Sequence, residues 1–371
     1  MLIASSSVLT ALGDGKATFE GLLAGRHAAA PLRLPLLPDA VGYPIGGGDP
    51  TSPARSTGLL AQVVASAIDE AGLSAGGVAG ARITVVVGTG LGETATVEEA
   101  IRSESQIEPE ILHYEAAVRS VLPAADAVMT ISSACAASGC AMAIAEDLLA
   151  CGETDIAVVA GVDAMSTSML AMIGMVGDIK PDRVRPFDID RRGVLLGEGA
   201  AAIVLAPADW TGPAVGRVLG AAMTCDAYHE TAPSVSGLVR CMRAAYQRAG
   251  RSPADTDLIV AHGTGTALND PSECRALTAL LEVSGGTPPI TAVKGATGHT
   301  SGCAALVNLD VALRCMRAAV VPPVVGLEKV IDEGRELSFV AHDPRAATIR
   351  IAQLNAFGFG GTNSVSLVAA A

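Results

Sequence analysis

The chain has 371 residues, of which 50% are hydrophobic and 3% are aromatic, and its formal net charge is −13. This length and composition can bury a large core, organised as two domains or as one domain made of two halves. The acidic balance argues against a nucleic-acid-binding protein, because such proteins need a positively charged surface.

The first residues show no sign of export. Residues 1–16, "MLIASSSVLTALGDGK", lack a basic region followed by a sustained apolar core, so we predict no signal peptide. No stretch of about 18 residues runs without polar or charged interruption, and we therefore expect no membrane-spanning helix. These features predict a cytoplasmic protein with no membrane partner.

Short apolar runs alternate with helical patterns along the chain. The runs are nearly continuous in apolar residues, which is typical of strands covered on both faces. Helical patterns such as 56–72 and 138–151 carry an apolar stripe. The alternation predicts an α/β fold with helices layered against a sheet. The predicted strands are 82–88, 155–162, 201–207, 257–263, 349–355 and 364–370.

Cys135 stands among alanine and serine residues just before the helical pattern 138–151. A helix N-terminus carries unsatisfied N–H groups and the positive end of the dipole, and both favour thiolate over thiol. Small neighbours leave space for a substrate and let main-chain N–H groups point at an oxyanion. We predict that Cys135 is a nucleophile.

The other seven cysteines indicate no metal site. None of the eight forms a C-x-x-C pair, and the spacing does not match that of zinc sites. We expect the cysteines to be reduced and, apart from Cys135, to be small apolar core residues.

An internal repeat indicates a duplicated fold. Residues 138–152, "SGCAMAIAEDLLACG", resemble residues 301–316, "SGCAALVNLDVALRCM", with an offset of 163 residues. Chance similarity between two alanine-rich helices is the alternative. In the duplicated reading, His299 occupies in the second half the place that Cys135 occupies in the first.

Three further islands are rich in glycine and other small residues, and the first of them, 261–273, follows a predicted strand. Residues 261–273 contain His262, residues 293–305 contain Lys294 and His299, and residues 355–367 form a glycine-dense turn. Ligands of α/β sheets usually bind beyond the carboxyl ends of strands, and we expect the site there.

At this point the chain resembles the β-ketoacyl-acyl carrier protein synthases of the thiolase superfamily, specifically the elongating Cys-His-His type. Initiating synthases have asparagine where His299 stands. The resemblance implies a thiolase-like fold of two related halves in a five-layered α-β-α-β-α arrangement, with halves 1–210 and 211–371. The matching segments are "SSACAASG", "AHGTGTALNDPSE", "KGATGHTSGCAA", "FGFGGTN", "RPFDIDRRGVLLGEGAAAIVL" and "DAYHETAP".

The resemblance also implies a mechanism. Cys135 would take an acyl chain from a carrier-protein thioester, and a malonyl unit would then lose its carboxylate and attack the acyl-cysteine. His262 and His299 would stabilise the enolate, and the N–H groups of Cys135 and Phe359 would form the oxyanion hole. Phe359 also resembles the gate residue of the family.

Supporting roles follow from the same resemblance. Lys294 would be ion-paired with Glu273 and would organise the histidines, although an ordinary buried salt bridge is the alternative. The pantetheine would contact a group of threonines, and an acidic carrier protein would dock near a pair of arginines that are otherwise a solvated charge pair. These residues are Thr264, Thr266 and Thr231 for the pantetheine, and Arg191 and Arg192 for docking.

The resemblance implies no covalently bound cofactor, because the substrates are carried on the 4′-phosphopantetheine of acyl carrier protein. It implies a homodimer, or a heterodimer with a related ketosynthase-like subunit. The chain is short before residue 60, between 100 and 130 and around 170–185, so chain length and partner stay open. The "HGTGT" spelling favours polyketide or polyene biosynthesis over fatty-acid biosynthesis.

Two other functions remain open. One is a non-catalytic subunit that sets chain length or binds the carrier protein, against which the intact Cys135, His262 and His299 argue. The other is a CoA-dependent acyltransferase of the same fold, such as a thiolase. Thiolases carry a catalytic cysteine near the C-terminus, and "NAFGFGGTN" contains none.

Overall fold

The structure is a computed structural model that describes residues 1–73, 80–174, 181–282 and 286–371. The strands in these ranges are β1 (Leu2–Thr10), β2 (Gly13–Asp14), β3 (Ala30–Pro31), β4 (Val41–Gly42), β5 (Ile83–Thr89), β6 (Ala127–Ser132), β7 (Ile156–Asp163), β8 (Gly199–Ala206), β9 (Gly216–Cys225), β10 (Leu258–Val260), β11 (Ile290–Thr291), β12 (Val320–Val321), β13 (Arg345–Ala346), β14 (Ile351–Phe357) and β15 (Thr362–Ala369). The helices are α1 (Gly15–Leu23), α2 (Arg55–Glu70), α3 (Thr94–Arg102), α4 (Glu115–Val121), α5 (Ala137–Ala150), α6 (Thr167–Gly174), α7 (Val235–Ala249), α8 (Asn269–Leu281), α9 (Lys294–Thr297) and α10 (Ala304–Ala318).

The strand order is the same in the two halves of the main sheet. The order is β11-β10-β14-β15-β9-β1-β8-β7-β5-β6, and β2 pairs with β1. In the first half β5 is parallel to β6 and β7, and β8 is antiparallel to β7 and β1. In the second half β10 is parallel to β11 and β14, and β15 is antiparallel to β14 and β9. The predicted α/β fold of two related halves is confirmed, while the boundary at residue 210 stays a prediction.

Three apolar cores explain why the strands are apolar on both faces. Along β5, Val85 and Val87 pack in an outer core with α2, whereas Val86 faces the central core around α5 and α10. In the second half Leu258 faces the same central core, and Ile259 faces the other outer core with α7 and α8. The side chains alternate because successive strand residues point to opposite faces. The result is the expected five-layered α-β-α-β-α arrangement.

The two halves are related with a different register from the one that the sequence repeat indicates. Ala134 and Ser301 have nearly equal φ angles of 47° and 46°, and each opens a 3₁₀ turn that leads into α5 or α10. Equivalent backbone positions are therefore 167 residues apart (301 minus 134), so the predicted offset of 163 is wrong. A shift of four residues is about one helical turn and preserves the buried face. For that reason the similarity of two small-residue helices could not establish the register.

The predicted strands and helices agree with the structure in position. The six predicted strands correspond to β5, β7, β8, β10, β14 and β15, and the helical patterns 56–72 and 138–151 correspond to α2 and α5. The prediction missed β1, β6 and β9, in which small or polar residues interrupt the apolar pattern. None of the helices in the described ranges has the length and apolar character that crossing a bilayer requires.

Candidate active site

The predicted site residues meet around one cavity of about 240 Å³ where the parallel strands end. The turn after β6 supplies Cys135, the segment after β10 supplies His262, and the segment after β11 supplies His299. The first half therefore supplies Cys135, and the second half supplies both histidines. Phe359, Thr231, Thr264 and Thr266 also line it.

Cys135 lies in the 3₁₀ turn that precedes α5, and its side chain is half-buried. The helix packs unusually close to β5, because a Cβ placed on Gly88 would lie 2.5 Å from the main-chain carbon of Ala137. Only glycine permits this approach, because it has no Cβ. The close contact with β5 fixes where α5 begins, just after Cys135.

The charge state of Cys135 differs from our prediction. Burial raises the pKa of Cys135 to about 11, although Lys294 and the main-chain N–H groups of Phe359 and of Cys135 itself act in the opposite direction. Desolvation outweighs the helix N-terminus, so the thiol form dominates at neutral pH. The helix N-terminus alone therefore does not give the thiolate that we predicted, because burial opposes it more strongly.

The two histidines lie edge to face, with ring centroids 5.4 Å apart. Burial, followed by the positive charge of Lys294, holds the pKa of each well below 6.5, and both imidazoles are neutral at pH 7. Nδ1 of His262 lies 3.2 Å from the Lys294 ammonium, and Nδ1 of His299 accepts the N–H of Ser301 at 3.2 Å. A neutral ring whose Nδ1 accepts must carry its proton on Nε2. Each histidine therefore keeps an Nε2–H to donate.

Lys294 and Glu273 hold the same residue, His262, from two sides. The ammonium of Lys294 donates to the His262 carbonyl oxygen and faces Nδ1. Glu273 accepts the N–H groups of His262 at 2.7 Å and Gly263 at 2.9 Å. Among the ion pairs of the described residues none joins Lys294 to Glu273, so the expected direct pair is replaced by a bridge through His262.

Lys294 is fully buried and remains cationic at neutral pH. Burial lowers the pKa of Lys294 to about 8, while electrostatic interactions with Cys135, Glu273 and Asp270 act in the opposite direction. A cation here supplies positive potential to both histidines and to the sulfur.

Two buried aspartates organise the site and were missed in the sequence. Asp163 accepts from Thr89 Oγ1 and from the N–H groups of Gly90, Leu91 and Gly302, which ties the two halves together beneath the cavity. Burial raises the pKa of Asp163 to about 6. An acidic residue ending a buried apolar strand, as in "AVVAGVD", is the signal that could have identified it.

The second buried aspartate, Asp270, shapes the threonine segment. It accepts the N–H groups of Thr264 at 3.0 Å and of Phe187 at 2.7 Å. Thr264 and Thr266 hydroxyls lie 2.8 Å apart and face the cavity, so both can meet an amide-bearing arm. Burial raises the pKa of Asp270 to about 6.

The two arginines differ in their surroundings. Arg191 is half-buried and donates from Nε to the carbonyl of Thr266 at 3.1 Å, so it supports the threonine segment directly. Arg192 is exposed. Thr231 lies at the opposite rim, where its N–H donates to Nδ1 of His229.

Phe359 lies on the glycine-dense turn between β14 and β15 and is 45% exposed. Gly360 and Gly361, which follow it, have φ angles of 77° and 76°, a region that favours glycine. The turn brings the N–H of Phe359 to the Cys135 sulfur. The ring of Phe357, which the sequence did not single out, packs 5.6 Å from the His262 ring.

A second apolar cavity of about 470 Å³ adjoins the catalytic cavity. Ile173, Val194 and Leu196 line both, so these three side chains form the wall between them. The second cavity lies beside the 170–185 region that we identified as short, of which residues 175–180 lie outside the described ranges.

The remaining cysteines are only partly core residues. Cys140, Cys241, Cys274, Cys303 and Cys315 are buried, as predicted, but Cys151 and Cys225 are exposed. Both end a regular element at the surface, where the apolar pattern gives no warning of exposure. Within the described ranges no three acidic, histidine or cysteine side chains cluster closely enough to hold a metal ion.

Sequence comparison relates both halves of the chain to known families. Residues 51–209 match the model for the "Beta-ketoacyl synthase, N-terminal domain", and residues 215–328 match that for the "Beta-ketoacyl synthase, C-terminal domain". Nodulation protein E of Rhizobium meliloti (strain 1021) is 32% identical over 83% of this chain and 80% of that protein. 3-Oxoacyl-(acyl-carrier-protein) synthase 2 of Mycobacterium tuberculosis (strain ATCC 25618 / H37Rv) is 32% identical over 76% and 73%.

Solved structures share the fold over the whole chain. The ishigamide ketosynthase/chain length factor matches with a TM-score of 0.89 and 27% identity, covering 100% of this chain and 98% of that one. A type II polyketide synthase ketosynthase, bound to a hexaketide and in complex with its acyl-carrier protein, matches with a TM-score of 0.88 and 22% identity, covering 100% and 99%. At that identity the second likeness concerns the fold alone.

Proposed function

This chain belongs to the β-ketoacyl synthase family, and from that premise we propose that it condenses an acyl thioester with malonyl-acyl carrier protein through an acyl-Cys135 intermediate. The observation that carries the proposal is the pair of neutral imidazoles that share one cavity with Cys135 and keep an Nε2–H each. Two such donors suit an enolate oxygen, which is the species that decarboxylation of a malonyl thioester creates.

The first step is acyl transfer. The sulfur of Cys135 attacks the thioester carbonyl, the new C–S bond forms, the old C–S bond breaks, and the thiol proton ends on the departing pantetheine sulfur. The N–H groups of Phe359 and Cys135, which already act on the sulfur, are the donors for the tetrahedral oxyanion. Because the resting thiol is mostly protonated, attack requires a transient thiolate, which Lys294 stabilises.

The second step is decarboxylative condensation. The bond from the malonyl methylene to its carboxylate breaks, CO₂ leaves, and the electron pair forms an enolate held by the Nε2–H groups of His262 and His299. The enolate carbon then attacks the acyl-Cys135 carbonyl, the C–S bond breaks, and Cys135 leaves as a thiolate that takes a proton from solvent. The product is a 3-oxoacyl thioester two carbons longer.

Substrate delivery by 4′-phosphopantetheine fits the cavity rim. Thr264, Thr266 and Thr231 lie on the rim and offer hydroxyls to the amides of the arm. Apolar side chains line most of the remaining cavity, in keeping with an acyl chain. We propose acyl carrier protein as the delivering partner, with Arg192 at its docking side and Arg191 supporting the threonines. No bound cofactor is part of the proposal.

A dimer is part of the same proposal. β6 is the last strand of the main sheet, and its outer edge has no strand partner within the described residues. Ala127, Met129 and Ser132 of this strand are exposed. An uncovered edge is a template for pairing with another chain, either a second copy or a related ketosynthase-like subunit. Halves at 1–210 and 211–371, a cytoplasmic location and a polyketide or polyene pathway complete the proposal.

The test is a condensation assay with the purified chain, a panel of acyl-carrier proteins and malonyl-carrier protein, read by mass spectrometry. We expect acylation of Cys135 and a 3-oxoacyl product, both lost in Cys135→Ala. A chain that acylates from CoA thioesters but not from carrier protein would favour the CoA-dependent acyltransferase. A chain that binds carrier protein without acylation at Cys135 would be the non-catalytic subunit.

A further inference from the structure

A line of buried polar side chains runs from Glu273 through the core of the second half. Asn355 Nδ2 donates to Glu273 Oε1 at 3.0 Å, and Gln353 Nε2 donates to Asn355 Oδ1 at 2.8 Å. The Tyr246 hydroxyl donates to Gln353 Oε1 at 2.7 Å and lies 2.6 Å from Thr256 Oγ1. Exposure along the line does not exceed 7%. We call these five residues the Glu273 relay.

The relay occupies an unusual place in the sheet. Gln353 and Asn355 alternate on one face of β14, and Phe357, next on that face, touches the His262 ring. The opposite face carries Ala352 and Leu354, which belong to the central core. Polar side chains in the middle of a doubly covered strand are costly unless each is hydrogen-bonded. Here each link is satisfied, and the line ends at the candidate active site.

The direction of every hydrogen bond in the relay follows from the charge at its end. An ionised carboxylate only accepts, so Asn355 must face Glu273 with its NH₂ group. Its oxygen then faces Gln353, which must also present NH₂. The Gln353 oxygen therefore faces Tyr246, whose single proton is used there. Thr256 must then donate to the tyrosine oxygen.

The relay therefore consists of donors aligned toward one carboxylate. Aligned hydrogen bonds polarise one another, which strengthens the contacts that hold the Glu273 carboxylate in place. Glu273 in turn accepts the N–H of His262, whose carbonyl oxygen accepts from Lys294.

We propose that Gln353 and Tyr246 are positioning residues that hold the Glu273 carboxylate in place, and thereby hold the His262 main chain and the charge of Lys294. The inference rests on the proposed function in that it treats His262 and Lys294 as parts of the reacting site. Tyr246 and Gln353 themselves touch neither the cavity nor the reacting groups.

The consequence reaches Cys135 through Lys294. Burial lowers the pKa of Lys294, and Glu273 is among the negative groups that oppose this effect. If Glu273 loses its fixed charge, Lys294 gives up its proton at a lower pH. The Cys135 thiolate then loses its counter-charge earlier as the pH rises.

The test is the rate of iodoacetamide alkylation at Cys135 between pH 6.5 and 9.5, read by peptide mass spectrometry, with no acyl substrate present. Tyr246→Phe removes the hydroxyl that donates to Gln353, and Gln353→Met removes both middle links at similar side-chain length. The matched control is Tyr114→Phe, because Tyr114 is equally buried and its hydroxyl contacts Ser56 in the first half. The thermal unfolding temperature of each variant measures separately how much stability is lost with the buried polar group.

We expect both relay variants to alkylate about three- to tenfold more slowly than wild type at pH 8, equivalent to a shift of about half to one pH unit in the profile. Tyr114→Phe should lower the unfolding temperature and leave the profile unchanged. Relay variants with a wild-type profile, or a control that shifts equally, would overturn the inference. If Tyr246→Phe does not fold, Thr256→Val takes its place, because it removes the outermost hydroxyl of the relay. The same slowing of Cys135 alkylation is expected for this variant.

Because alkylation needs no acyl or malonyl substrate, its outcome is separate from that of the condensation assay. A shifted profile in a chain that never condenses would support the relay and reject the proposed function. Relay variants with a wild-type alkylation profile, in a protein that does condense its substrates, would reject the relay and support the proposed function.

Discussion

Replacing His299 by alanine removes one of the two Nε2–H donors while leaving the other in place. His299 is the cleaner of the two histidines to change, because His262 also contacts Lys294. In His299→Ala the N–H of Ser301 loses its acceptor on Nδ1, at a cost of about 1 kcal/mol in stability. The fold should therefore survive, and the effect should appear in the chemistry.

The expected magnitude differs between the two half-reactions. Loss of one preorganised donor to a developing oxyanion slows a reaction about 100- to 1,000-fold, or about 2.7–4 kcal/mol. Decarboxylation should fall by this factor, since its enolate depends on both imidazoles. Acyl transfer should fall less than about tenfold, because its oxyanion is assigned to the N–H groups of Cys135 and Phe359. His299→Asn, which restores a side-chain donor, should recover part of the decarboxylation.

Two rates must be measured on the same preparation: CO₂ release from a malonyl thioester and acyl transfer to Cys135. Because burial, then Lys294, holds the pKa of His299 well below 6.5, its proton stays on Nε2 alone as pH falls from 8 to 6. The wild-type decarboxylation rate should accordingly show no loss over that range. Equal losses in both half-reactions, or a decarboxylation rate unchanged in His299→Ala, would refute the assignment of the histidines.

Three further predictions concern charge, stability and the acyl site. Because the pKa of Cys135 is raised to about 11, only about one thiol in 10,000 is ionised at pH 7. The rate of Cys135 alkylation should therefore rise about tenfold per pH unit. It should level off above pH 8, where Lys294 loses its proton. Arg55→Ala should cost about 3–5 kcal/mol in denaturant unfolding, because it leaves the fully buried Glu198 without its ion pair. Ile173→Ala should open the wall between the two cavities and raise acylation by longer acyl thioesters relative to short ones.

Each of these predictions has a control within the chain. Cys225 is an exposed thiol, and its alkylation in the same samples serves as the reference for the reagent. Arg82→Ala breaks an exposed pair with Asp155 and should cost much less stability than Arg55→Ala. Leu170→Ala enlarges the second cavity without touching the shared wall. The charge prediction would be contradicted by a Cys135 alkylation rate that still rises steeply beyond pH 9. The stability prediction would be contradicted by equal costs for Arg55→Ala and Arg82→Ala. The acyl-site prediction would be contradicted by equal chain-length shifts in Ile173→Ala and Leu170→Ala.

The layers of the fold could be predicted because each strand is covered on both faces. The run 82–88 is mostly apolar, with three consecutive valines, and the structure places these valines alternately in two different cores. Such a run has no other stable place in an α/β protein. The register of the duplication could not be predicted, since two helices of small residues match equally well one turn apart.

The site residues could be predicted from motifs, but their charge states could not. Cys135, His262 and His299 share the expected cavity. The sequence places Cys135 at a helix N-terminus, which favours thiolate, whereas burial by segments distant in the chain favours the thiol more strongly. Likewise the sequence suggested a direct Lys294–Glu273 pair, while the fold puts the His262 peptide between them. The burial of Cys135, and the position of the His262 peptide between Lys294 and Glu273, depend on segments that are distant in the chain. A local sequence pattern does not describe such contacts.

The Glu273 relay illustrates a signal that was present but not used. "IAQLNAF" reads as a strand, and its alternate polar residues stand out only once both faces are known to be buried. Tyr246 and Thr256 come from separate elements, so their part in the line requires the tertiary structure.

The most direct measurement is the intact mass of the chain after incubation with an acyl thioester, compared with that of Cys135→Ala. If a sulfur beneath two neutral imidazoles is the acyl acceptor, the native chain gains the mass of one acyl group and the variant gains none. A native chain that stays unmodified by every thioester offered, or a variant that is acylated as readily, would contradict the account.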